Sequence, residues 1–148
     1  QMVAQPGLAP LVLTADCLPS AIAGPNAAAM LHAGWRGLAR GVIHAGAAAL
    51  RELTGAAPLE AAIGPGAGPC CYQVSEEVHE QFAPVGPVAR NGSNLDLKAV
   101  ARRQLEAEGV KSVHDIRLCT ICADPSLFFS HRRDRGVTGR QAGVVWLS

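Results

Sequence analysis

The sequence predicts an α/β domain in which helices cover a mixed sheet. Three observations carry this. Short apolar runs repeatedly stop at turn residues, as strands do. Two longer stretches, residues 38–53 and 97–108, place apolar side chains at helical spacing. The 16 glycines and 10 prolines supply many tight connections between them.

In chain order, an apolar run from Met2 is followed by a turn at Gln5-Pro6-Gly7 and a strand that reaches Asp16-Cys17. The next run, 27–31, ends at His32, and Pro19, Gly24, Pro25 and Asn26 between the two read as turn residues. The sequence thus predicts adjacent strands with Cys17 and His32 exposed at their ends. Residues 38–53 form a helix on Leu38, Val42, Ala45, Ala49, Leu50 and Leu53, stopped by Gly55 and directed at the Trp35-Arg36-Gly37 turn. A third strand, 59–63, leads into a loop, 64–69, in which five of six residues are Gly or Pro. Ser75 begins a short helix running to Phe82, and Asn94 or Asp96 caps the helix over 97–108, which Gly109 stops. A fourth strand over 113–118 reaches Cys119-Thr120-Ile121-Cys122, and a closing strand covers 143–147.

Length and composition narrow the function classes. The 148 residues suit one domain with one core. Hydrophobic content of 49% with 17% charged residues describes a compact chain. A formal net charge of +1 and 4% aromatics argue against a nucleic-acid or anionic-membrane partner. No apolar run approaches a membrane span and no basic-then-apolar leader opens the chain, so the expected location is the cytoplasm. Arginine greatly outnumbers lysine, which favours planar contacts with phosphate or carboxylate. Gln1-Met2-Val3 opens in mid-pattern, as a domain lacking its N-terminal part would, and sheet edges left open there would favour self-association.

Cys17 and His32 are the leading pair. A thiol beside an imidazole is either an activated nucleophile or two good zinc ligands, and a catalytic zinc needs a third. Asp16 could orient His32, bind a substrate or cap a turn. Arg36, at the start of a helix, is the first choice for holding an anion, with Arg132, Arg133 and Arg140 in reserve. The five cysteines read as free thiols or metal ligands. Cys119-x-x-Cys122 resembles half of a zinc ribbon or a redox pair, but no second C-x-x-C follows and the adjacent pair Cys70-Cys71 has the wrong spacing for one, so the signal for a structural zinc is weak. The glycine loop is not followed by Gly-Lys-Ser/Thr and so is not a phosphate-binding P-loop; it is expected to shape a pocket wall.

Together the motifs TADCLP at Thr14, HAGWRGL at His32, GP…GPCCYQV from Gly64, NLDLK at Asn94, CT at Cys119 and FFS…RR…TGR from Phe128 resemble the YfiH family, also called the laccase-domain or polyphenol oxidase family. They fall in family order and span nearly the whole chain. The resemblance implies a three-layer α/β/α fold with a mixed sheet, related to the cytotoxic necrotizing factor-like cysteine hydrolases. It implies a zinc-dependent purine nucleoside phosphorylase acting on a purine nucleoside and phosphate, with adenosine deamination and methylthioadenosine cleavage as further activities. Cys17 and His32 would be two of three metal ligands, the third being a histidine upstream of this chain. Three rivals stand beside this reading: copper-dependent oxidation of phenols, a metal-free hydrolase with Cys17 as nucleophile and His32 as base, and an inactive truncated binding domain.

Overall fold

The computed structural model describes residues 2–4 and 7–147, so the turn expected at Gln5-Pro6-Gly7 lies largely outside the described residues. A five-stranded sheet runs through the molecule in the order β1 (Met2–Ala4), β4 (Ala28–Ala33), β3 (Leu18–Ala23), β5 (Glu60–Ile63), β8 (Ser112–Asp115). The β1–β4, β4–β3 and β3–β5 pairs are antiparallel and β5–β8 is parallel, which makes the sheet mixed as expected. A separate ribbon pairs β2 (Leu11–Thr14) with β9 (Gln141–Val144), and a small hairpin joins β6 (Arg90–Asn91) to β7 (Asn94–Leu95).

Alternation along the strands decides the layers. Leu18 and Ile22 of β3, Ala29, Leu31 and Ala33 of β4, and Ala61 and Ile63 of β5 share the face that meets Leu38, Ile43, Leu50, Leu97, Val100 and Leu105 of the helices. Each fully buried Leu or Ile on that face contributes about 1.5–3 kcal/mol. On the opposite face, Pro19 and Met30 meet the ribbon at Gly143. Among the described residues helices cover one face of the mixed sheet and the β-ribbon packs on the other, in keeping with the mixed-sheet α/β fold that the sequence predicts. Leu11, Leu13, Val144 and Trp146 leave much of the ribbon's outer surface apolar and exposed.

Two departures from the sequence expectation matter for the site. The runs at 11–15 and 27–31 do not pair with each other, because the stretch from Leu18 to Ala23, which holds the expected turn residue Pro19, forms β3 and pairs with β4 from Leu18↔Ala33 to Ala23↔Ala28. Gly24, Pro25 and Asn26 do lie in the connection. Pro19 reads as a turn residue locally, but Leu18, Ser20 and Ile22 alternate inward and their burial overrides the local signal. The expected helix over 38–53 is two, α1 (Trp35–Ala39) and α2 (Val42–Thr54), because Gly41 adopts a left-handed conformation at φ 76°. Elsewhere α3 (Glu76–Gln81) and α4 (Leu97–Ala107) follow the expectation, and Asp96 caps α4 by accepting from Ala99 N at 2.9 Å. The strand expected over 113–118 stops at Asp115, since Arg117 has φ 56° and leaves the extended region.

Candidate functional site

The ladder puts Cys17 and His32 on one face at one edge of the sheet. Pro19 is paired with His32 and Leu18 with Ala33, so continuing the register sets Cys17 opposite Gly34. Gly34 and His32, two apart, share a face, and Cys17 is the diagonal neighbour of His32. A Cβ on Gly34 would lie 2.5 Å from Cys17 Sγ and 4.0 Å from His32 Cδ2, so the thiol rests against a bare Cα beside the imidazole. Burial pushes the Cys17 thiol above its ordinary pKa and the Asp16 carboxylate adds to the shift, while Arg140 and Arg36 oppose it. Burial holds the His32 imidazole below its ordinary value.

Asp16 sits next to this pair but does not bond His32. It is buried, with φ 85°, and its carboxylate accepts from Thr120 Oγ1 at 2.6 Å through Oδ1 and from Arg132 N at 2.7 Å through Oδ2. Its carbonyl accepts from Ala67 N at 2.7 Å. Asp16 therefore ties the turn before β3 to the glycine loop, to the segment after β8 and to the 130–134 turn. The glycine loop packs closely against the turn that carries Cys17. A Cβ on Gly66 would fall 2.9 Å from Asp16 O and 2.5 Å from Leu18 Cδ2.

The four candidate arginines divide. Arg36 is exposed on α1 with its guanidinium 4.4 Å from the Trp35 ring centroid. Arg140 is exposed, donates through Nη1 to Thr138 O and Gly139 O, and lies close enough to act on the Cys17 thiol, as Arg36 does. Arg132 donates to Gln73 O at 2.7 Å and stands 5.1 Å from the Tyr72 ring. Arg133 is taken up by the protein: Nε and Nη2 donate to Asp134, Nη1 to Thr120 O and Nη2 to Phe128 O. Tyr72 and Trp35 are given no role by the sequence reading. They line a cleft of about 460 Å³ with Val74, Val78 and Arg132, and burial raises the Tyr72 pKa with the Cys17 thiol adding to it. The available signal was that Tyr72 is the one tyrosine in the chain and follows the glycine loop and the Cys70-Cys71 pair.

The structure brings together four cysteines that spacing along the chain does not connect. Cys70, Cys71, Cys119 and Cys122 gather with all four sulfurs within 4.8 Å of one another, and this is the one group of three or more such donors found among the described residues. Sequence spacing failed because the pairing is made by β5 and β8. The two strands are parallel, so their following loops leave the same edge and run together through the Gly66–Cys119 bridge. His44, His79 and His114 join no such group; they bond Glu108, Ser93 O and Ser112.

Comparison with known proteins identifies the family. The sequence pattern of the family described as multi-copper polyphenol oxidoreductase laccase matches residues 1–148. A Xylella fastidiosa protein named purine nucleoside phosphorylase is 42% identical over 149 residues, covering 93% of this chain and 56% of the relative. Purine nucleoside phosphorylase YfiH of Escherichia coli is 36% identical over 152 residues, covering 96% of this chain and 60% of its own length. The crystal structure of YlmD from Geobacillus stearothermophilus superposes with a TM-score of 0.86 at 36% identity, over 93% of this chain and 56% of that one. That of Neisseria meningitidis NMB0706 gives 0.85 at 36%, over 99% and 63%. The chain thus spans somewhat more than half the length of these relatives. Among the described residues no helix is long and apolar enough to cross a membrane. On the sequence pattern and the shared fold, the chain belongs to the multi-copper polyphenol oxidoreductase laccase family, the family of YfiH and YlmD.

Proposed function

We propose that this chain carries the site of a zinc-dependent purine nucleoside phosphorylase, which converts adenosine, inosine or guanosine and phosphate to free base and ribose 1-phosphate. The observation that carries the reading is the convergence of Cys17 and His32 over Gly34, with two arginines acting on the thiol and an aromatic cleft nearby. The relatives' names support the reaction class.

Thiolate and imidazole are both good zinc donors, and their placement on one face at alternate rungs fits two positions of a three-ligand site. The third ligand, on the family pattern, is a histidine outside this chain. When bound, zinc supplies Lewis acidity and a fixed template. The rest falls to the protein's own groups. Arg36 and Arg140 hold the phosphate dianion, with Arg132 at the cleft side. Trp35 and Tyr72 offer apolar ring surface to the purine. Asp16, with both carboxylate oxygens engaged, acts as a positioning residue that sets the turn carrying Cys17, and Arg133 buttresses the same wall. Copper oxidation of phenols is less well supported. A multicopper centre needs several converging imidazoles, and three of the five histidines bond elsewhere.

The test is release of base from inosine and adenosine, with and without phosphate, by zinc-supplied protein of the relatives' full length. Phosphate-dependent ribose 1-phosphate formation, lost in Cys17→Ala and His32→Ala, supports the reading. Turnover indifferent to phosphate, or to both substitutions, overturns it. Following adenosine to inosine in the same samples shows whether deamination shares the site.

A further inference from the structure

We propose that Cys70, Cys71, Cys119 and Cys122 form a second metal site, a closed tetrathiolate that binds Zn²⁺ and clips the glycine loop to the segment after β8. It is separate from the Cys17/His32 pair and does not depend on the phosphorylase reading.

Geometry carries the assignment. Four sulfurs bound to zinc at about 2.3 Å stand about 3.8 Å from one another at the corners of a tetrahedron. Here Cys70 Sγ is 3.6 Å from Cys122 Sγ and 3.4 Å from Cys71 Sγ, and all four lie within 4.8 Å. Small rotations about χ1 close the remaining difference. A disulfide needs about 2.05 Å between sulfurs and joins only two of the four.

The backbone is arranged as a thiolate site requires. Cys119 and Cys122 occupy one turn, closed by Ala123 N donating to Cys119 O at 3.0 Å, which brings side chains three apart to the same side. Cys70 and Cys71 occupy a turn closed by Cys71 N and Tyr72 N on Gly68 O, so two adjacent thiols can face one point. Gly68 N donates to Cys119 Sγ at 3.3 Å, the kind of outer contact that disperses charge on a metal-bound sulfur. As each Zn–S bond forms, the thiol proton passes to solvent, and with four protein ligands no position is left for substrate. The site is structural. Its two loops are those that present Ala67 N and Thr120 Oγ1 to Asp16, so the clip holds the wall behind Cys17.

The experiment uses the reduced Cys17→Ser/His32→Ala double variant, so that bound metal reports this site alone. Expected are about one zinc per chain retained on desalting, release when the thiols are blocked by a mercurial, and, on replacement by Co²⁺, intense sulfur-to-cobalt charge transfer with tetrahedral d–d bands. Cys70→Ser and Cys122→Ser should each abolish stoichiometric retention. If those variants do not fold, cobalt titration of the folded double variant decides alone. Failure of that protein to take up Zn²⁺ or Co²⁺, cobalt bound without sulfur charge transfer, retention of copper or iron in place of zinc, or a Cys70–Cys122 disulfide persisting in reductant would each overturn the assignment.

Discussion

Thr120 donates its hydroxyl to Asp16 at 2.6 Å across 104 residues of chain, with Thr120 fully buried and Asp16 nearly so. The same carboxylate accepts from Arg132 N, so one side chain joins three segments. Asp16→Ala leaves a buried hydroxyl and a backbone N–H without partners and should cost about 3 kcal/mol. Asp16→Asn keeps one acceptor and tolerates φ 85°, so its cost should be clearly smaller. Urea unfolding of the two variants checks the order; equal losses would remove the carboxylate from the role given to it here.

Gly34 is the contact that lets Cys17 approach His32. A Cβ there would be 2.5 Å from Cys17 Sγ, so Gly34→Ala must displace the thiol. The expected result is a fold that survives with about 1–3 kcal/mol lost to overpacking. On the phosphorylase reading, activity should fall by about 100-fold, because Cys17 would shift relative to His32 by a fraction of an ångström or more. Circular dichroism together with phosphorolysis rates checks both halves.

The arginines should separate by experiment. Arg36→Ala is expected to raise KM for phosphate with little change in thermal stability, since the side chain is exposed over Trp35. Arg133→Ala should lower Tm, since it removes bonds to Asp134, Thr120 O and Phe128 O and exposes no anion contact. The reverse pattern would exchange their assignments.

Asp134 gives the pH dependence. The Arg133 guanidinium holds its carboxyl down at about 2 against an ordinary 3.8, with Thr138 and Ser130 assisting. A carboxyl depressed on folding adds stability above its unfolded pKa and loses it as pH falls through the folded one. The stability gap between wild type and Asp134→Asn should therefore be constant above about pH 4 and shrink toward pH 2. Urea midpoints measured across that range check it; a gap independent of pH would mean the bond adds nothing.

Much was legible in the order of residues alone. The apolar spacing marks α2 and α4, Gly55 and Gly109 mark their ends, and Asp96 marks a cap that the structure supplies through Ala99 N. The alternating apolar runs place strands before His32 and at Glu60–Ile63, and the motif set identifies the family. These are local signals, written in periods of two or 3.6 residues and in turn chemistry. What tertiary structure decided is which local pieces meet. Leu18–Ala23 becomes a central strand because its inward positions are buried between β4 and β5, although its Pro19 suggests a turn. Arg133 is drawn into the wall while Arg36 stays free of it, a difference set by whether a carboxylate and two carbonyls happen to face the guanidinium. Cys70 and Cys122, 52 positions apart, touch only because β5 and β8 are parallel neighbours. Spacing along the chain carries no information about a contact whose distance is fixed by sheet register.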